Sequence, residues 1–111
     1  MHLSIITPLF NRLDLTRAFV AALPGTLPPG LEWECVLVDD GSTDGTHAWL
    51  DSLPTPFRTI QNERNLGFAA ACNAGAREAR GDVLALLNND LVLSPGWLPP
   101  MLAALRRPRA G

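Results

Sequence analysis

The stretch Val36-Leu37-Val38-Asp39-Asp40-Gly41-Ser42-Thr43-Asp44-Gly45-Thr46 carries an apolar run into two adjacent carboxylates, then a turn, then the start of a helix. The strand it implies spans residues 34–39, and residues 41–45 form the turn. Asp44 sits just ahead of the next helix and reads as a turn former that caps it. That helix is short, carries Trp49, Leu50 and Leu53, and stops at Pro54. The same unit recurs in both directions. Upstream, residues 3–7 are a β-rich run ended by Pro8, which pushes the preceding residue toward an extended conformation. Asp14 is placed to cap a helix whose apolar residues Leu15, Ala18, Phe19, Ala22 and Leu23 fall at helical spacing, and Pro24-Gly25 closes it. Downstream, residues 57–61 alternate apolar and polar side chains as a half-exposed strand does. From Gly67 the positions Phe68, Ala71, Cys72, Gly75, Ala76 and Ala79 trace one stripe of a helix, small enough to lie close against a sheet, and Gly81 ends it. Residues 83–87 are a fourth strand, apolar on both faces. Pro99 starts a last helix running to residue 107, with an apolar stripe of Leu98, Met101, Leu102 and Leu105.

Strands alternating with helices imply right-handed crossovers. The expected fold is therefore α/β, a Rossmann-like open and mainly parallel sheet of about four strands with flanking helices. At 111 residues the chain is one domain. Apolar residues at 47% and charged residues at 18% fit a compact fold rather than a disordered segment. The net charge is −2, with no basic patch, so a nucleic-acid footprint is absent. Every basic residue is arginine; without lysine, all lysine-dependent chemistry is excluded. No apolar run approaches the ~20 residues that span a bilayer. The N-terminus lacks the pattern of a signal peptide, and the expected compartment is the cytoplasm. Cys35 and Cys72 sit in apolar surroundings and read as buried free thiols.

In open α/β sheets ligands bind beyond the carboxyl ends of the strands. Here those ends carry Thr7-Pro8-Leu9-Phe10-Asn11, Asp39-Asp40-Gly41-Ser42, Asn62-Glu63-Arg64-Asn65 and Asn88-Asn89-Asp90. The first loop has no glycine, which excludes both the GxGxxG turn and the phosphate loop of nucleotide-hydrolysing folds. Phe10 offers a flat face on which a base can stack, a contact worth roughly 1–3 kcal/mol; as a core residue at the loop base it would do nothing of the kind. Of Asp39 and Asp40, side-chain alternation lets one face the crevice while the other anchors the turn. A carboxylate there accepts hydrogen bonds from a pyrimidine imide or from ribose hydroxyls. Asp90, at the end of an apolar strand, can hold a divalent cation against a diphosphate, since Mg2+ takes only one or two protein carboxylates. Its alternative is a plain turn.

The succession Ile5-Ile6-Thr7-Pro8-Leu9-Phe10-Asn11, Val38 through Thr46, Asn65-Leu66-Gly67-Phe68 with Asn73-Ala74-Gly75, and Leu87-Asn88-Asn89-Asp90 resembles glycosyltransferase family 2. The resemblance implies a partial A-type glycosyltransferase fold with the third strand at one edge, then the second, the first and the fourth. It places Phe10 at the base-stacking position and Asp40 at the base- or ribose-binding carboxylate. Asp90 falls on the last aspartate of the DxD metal motif, whose first position is Asn88 here. The implied substrate-binding set is Thr7, Phe10, Asp39, Asp40, Asn65, Asn89 and Asp90, with Asp90 as ligand to Mg2+ or Mn2+. The resemblance further implies that residues 1–111 form a nucleotide-sugar-binding (donor) domain that stops before the acceptor half and its general base. The expected partners are a nucleoside-diphosphate sugar, a saccharide acceptor in the full enzyme, and a second chain through the fourth strand or last helix. On this reading the chain is the donor part of an inverting transferase, poorly active alone. The alternative is a small non-catalytic nucleotide-binding or partner-completed module. A phosphoacceptor regulator also clusters acids at strand ends, but it relies on a lysine that this chain lacks.

Overall fold

The apolar runs form four strands, β1 (His2–Leu9), β2 (Glu32–Asp40), β3 (Phe57–Asn62) and β4 (Val83–Leu86). Between them lie α1 (Leu13–Thr26), α2 (Thr46–Leu50) and α3 (Phe68–Glu78). This computed structural model describes residues 2–90; the helix read over residues 99–107 and its apolar stripe lie outside the described residues. The sheet is parallel throughout and ordered β3-β2-β1-β4, as expected. The order reverses between β1 and β4, so a crevice opens there beyond the strand ends.

Side-chain alternation divides the core in two. Leu3, Ile5 and Leu9 of β1 pack with Phe19, Val20 and Leu23 of α1 and Leu50 of α2. On the other face Ile6, Val36 and Val38 pack against Ala71 of α3. Full burial of a side chain such as Leu23 contributes about 1.5–3 kcal/mol. The small residues of α3 serve the close approach read from the sequence: a Cβ on Gly75 would lie 2.5 Å from Ile6 Cγ2 and 3.1 Å from Val38 Cγ2. No helix among the described residues is long and apolar enough to cross a membrane.

Three expectations are corrected. Pro8 does not end β1, which continues to Leu9 with Pro8 opposite Val38. Ile6 directs its carbonyl to Leu87, on the β4 side, and Pro8 points the same way; β4 pairs no further than Ile6, so the missing N–H of Pro8 has no partner to lose. Asp14 does not cap α1. The cap position is Arg12, at φ 55°, and Asp14 in the first turn pairs with the Arg12 guanidinium at 3.0 Å. The orphan amide of Leu13 is instead taken by Asp44 Oδ2 at 3.1 Å, from the turn after β2. Pro24 lies inside the last turn of α1, which runs on to Thr26. β4, apolar on both faces, ends the described sheet and buries one of them: Ala85 is buried, while Leu84 and Leu86 are exposed.

Candidate functional site

Beyond the strand ends a cleft of about 210 Å³ is lined by Pro8, Leu9 and Phe10 after β1, Asp40 at the end of β2, Asn65, Phe68 and Ala71 around the start of α3, and Asn88, Asn89 and Asp90 after β4. All four strand ends, or the loops that follow them, thus meet at one opening.

The alternation along β2 separates its two terminal acids. Asp39 faces α2: its Oδ1 accepts the Ser42 amide at 3.0 Å and its Oδ2 lies 3.9 Å from His47 Nδ1. It anchors the turn and does not line the cleft. Asp40 faces α3 and the cleft. Its Oδ1 accepts from Asn62 Nδ2 at 3.0 Å and the Leu66 amide at 2.9 Å, and its Oδ2 accepts the Gly67 amide at 2.9 Å. Burial pushes this carboxyl up, but the bonds from Leu66, Asn62 and Gly67 outweigh it and hold the group below its ordinary value. A carboxylate offers about four lone-pair sites. With two donors on Oδ1 and one on Oδ2, Asp40 retains room for one more.

The loops around Asp40 are locked together. Asn11 and Arg12 both have φ of 55°, turning the chain sharply after Phe10. The Asn11 amide donates to Ser42 Oγ and its Oδ1 accepts the Thr43 amide, each at 2.7 Å. Asp44 Oδ1 also accepts the Thr46 amide and hydroxyl, so this one carboxylate serves the starts of both α1 and α2. Gly41 (φ 84°) meets the loop after β3 so closely that a Cβ would lie 2.5 Å from the backbone of Arg64 and Asn65.

Phe10 and Phe68 keep 50% and 63% of their surface exposed at the cleft, which is unusual for phenylalanine and leaves two aromatic faces open to a ligand. At the fourth strand end Asn88 and Asp90 are exposed, and Asn89 donates its amide to Thr16 of α1 at 3.0 Å. Among the described residues no set of three His, Cys, Asp or Glu side chains could enclose a metal ion. The donor set at this strand end, one carboxylate with amide oxygens beside it, suits a hard cation held jointly with a phosphate ligand. Among the described residues the lining contains two carboxylates and no basic side chain.

The structure therefore brings Phe10, Asp40, Asn65, Asn89 and Asp90 together. Thr7 and Asp39, read with them as substrate-binding, fall elsewhere: Thr7 is fully buried on the α1 face with its hydroxyl beside the Cys35 thiol. Sequence reasoning gives Phe68 a place on a packing stripe and in the family motif but not in the binding set, and does not single out Thr16. Phe68 had one available signal, its place directly after a strand-end loop. Thr16 had none. Neither histidine lines the cleft. Burial pushes the Cys35 thiol up to about 12 and raises that of Cys72, so neither is a ready nucleophile.

Comparison with known proteins agrees with this geometry. Residues 4–111 match the family profile described as Glycosyl transferase family 2. The chain is 34% identical to the dodecaprenyl-phosphate galacturonate synthase of Rhizobium johnstonii, over 96% of this chain and 33% of that protein. It is 30% identical to the dolichol-phosphate mannosyltransferase of Pyrococcus furiosus, over 96% of this chain and 30% of that protein. Among solved structures it superimposes on the mannosyltransferase PcManGT of Pyrobaculum calidifontis in complex with GDP-Man and Mn2+, with a TM-score of 0.82, 25% identity, and coverage of 96% of this chain and 32% of that one. It also superimposes on S. aureus TarS in complex with UDP-GlcNAc, with a TM-score of 0.79, 25% identity, and coverage of 93% and 30%. The chain thus spans about a third of the length of these relatives. Its sheet is part of an A-type glycosyltransferase fold, and the chain belongs to glycosyl transferase family 2.

Proposed function

We propose that the chain forms the donor-binding part of an inverting glycosyltransferase, holding a nucleoside-diphosphate sugar with a divalent cation for transfer to a saccharide or cell-surface acceptor. The observation that carries this reading is the charge of the cleft. Among the described residues two carboxylates and no cationic side chain line it, so a cation that offsets the charge of Asp90 and of a diphosphate favours entry of that ligand. Phe10 supplies a stacking face for the base, and Asp40 uses its remaining acceptor site for one N–H or O–H of the base or ribose. Asp90, with the amide oxygens beside it, would hold Mg2+ or Mn2+. Bound there, the cation supplies the positive charge that stabilises a departing diphosphate. Two superimposable relatives, solved with UDP-GlcNAc and with GDP-Man and Mn2+, support the same ligand class.

An inverting displacement also needs a base on the acceptor side. Asp40 accepts three hydrogen bonds and Asp90 would hold the cation, so neither is assigned that task. The base is assigned to the part of the relatives that this chain does not span. Titration calorimetry with UDP, dTDP and GDP, with and without Mn2+, tests the reading. Affinity near the millimolar range, about −4 kcal/mol, is expected because the chain spans only about a third of the length of these relatives. That binding should require Mn2+ and be lost in Asp90→Ala. Binding indifferent to both the metal and Asp90 would overturn it.

A further inference from the structure

Thr16 is fully buried in the second turn of α1, facing the same core as Phe19, Val20 and Leu23. Valine would fill that space equally well, so packing does not call for a hydroxyl. Its Oγ1 instead accepts Nδ2–H of Asn89, 73 positions along the chain, at 3.0 Å. This is the only side-chain hydrogen bond found between α1 and the loop after β4 among the described residues. Asn89 lines the cleft together with Asp90. An asparagine amide has an oxygen on one side and an N–H2 on the other. When the nitrogen is turned to α1, the oxygen is turned away from it.

Resting on the donor-site reading above, we propose that Thr16 is a positioning residue for the cation–diphosphate end of the cleft. Its hydroxyl fixes the Asn89 amide so that this strand end presents oxygen, not N–H, beside the Asp90 carboxylate. A hard divalent cation takes oxygen donors only, and an N–H2 aimed at the same place would oppose it. The position of Thr16 is itself defined, because α1 is held at its first turn by Asp44 through the Leu13 amide. The other end of the cleft does not depend on this bond: Asp40 is oriented by Asn62, Leu66 and Gly67.

The test uses Thr16→Val, which keeps the shape and removes the acceptor, and Thr16→Ser, which keeps the acceptor, both in the 111-residue chain. Without any ligand, the side-chain amide resonances of Asn89 should move in Thr16→Val and stay in place in Thr16→Ser. In titrations, Thr16→Val should weaken binding of dTDP with Mn2+ by about fivefold and leave thymidine unchanged, while Thr16→Ser behaves as the parent. Unmoved Asn89 resonances in Thr16→Val would overturn the proposal, as would parallel weakening of thymidine and of dTDP with Mn2+, the mark of a merely structural role. A parent chain that binds neither ligand, with the Asn89 resonances responding as expected, would count against the donor-site reading and leave the Thr16–Asn89 link standing.

Discussion

Glu34 and Asp40 stand on the same strand and the same face, separated on that face by Val36 and Val38, and both are buried. Each accepts three hydrogen bonds. Glu34 takes the Ser4 hydroxyl at 2.6 Å, the Arg80 amide at 2.6 Å and the Arg58 guanidinium at 2.8 Å. Asp40 takes one side-chain amide and two backbone amides. The difference is the cation. Arg58 neutralises Glu34, and it donates to the Glu78 carbonyl as well, tying the end of α3 to β2. Among the described residues Asp40 has only neutral donors, so none of them compensates its charge at the cleft. Counting satisfied hydrogen bonds does not distinguish a structural carboxylate from one available to a ligand. The location of the neutralising charge does.

The largest expected effect follows from that contrast. Removing Glu34 leaves the partly exposed Arg58 guanidinium, the Ser4 hydroxyl and the Arg80 amide without their acceptor, so Glu34→Ala should destabilise the fold by about 3 kcal/mol, the low end for a broken buried pair. Asp40→Asn, which breaks neutral contacts only, should cost about 1–3 kcal/mol. Urea denaturation measures both, and equal losses would break the comparison.

Acid should act through the same residue. Burial pushes the Glu34 carboxyl up, but the bonds from Ser4, the Arg80 amide and Arg58 outweigh it and lower the group from 4.5 to about 2. The folded chain therefore binds fewer protons than the unfolded chain between those values. The stabilisation is complete above pH 4.5, and it declines as pH falls toward 2, by about 3 kcal/mol in total. Stability measured against pH should show this decline in the parent chain and a flatter profile in a folded Glu34→Gln variant.

Much of this arrangement is legible in the sequence because it rests on local pattern. Strand periodicity and the crevice beyond Phe10, Asp40 and Asp90 follow from alternation and handedness, and the strand order from the family resemblance. The sequence misses what depends on contacts between distant segments. Asp44 capping α1 across the loop is one such contact, and Thr16 holding Asn89 is another. Pro8 inside β1 is a third, tolerated only because β4 pairs no further along that side. The family resemblance puts Thr7 in the binding set, yet alternation along β1 turns it to the α1 face. A buried glutamate inside an apolar strand likewise gives no sign of its partners, since Ser4, Arg58 and Arg80 lie on three other segments.

A smaller effect concerns the two faces of β4. Ala85 is buried, whereas Leu84 and Leu86 keep 42% and 55% of their surface exposed beside an edge with no pairing strand among the described residues. Such an edge favours pairing with another chain. Light scattering across a dilution series should show concentration-dependent association, reduced by Leu86→Lys with little loss of stability. A monomer at every concentration would remove this surface from the account.

The central claim, that the uncompensated charge at one end of β2 serves a ligand and the neutralised charge at the other end does not, is tested most directly by nucleotide affinity. Titrations of thymidine, and of dTDP with Mn2+, should be run on Asp40→Asn and Glu34→Gln at a temperature where both are folded. Asp40→Asn should weaken both ligands by about tenfold, the loss expected when a charged acceptor is removed. Glu34→Gln should bind both as the parent does. Unchanged affinity in Asp40→Asn, or an equal loss in the two variants, would contradict the account.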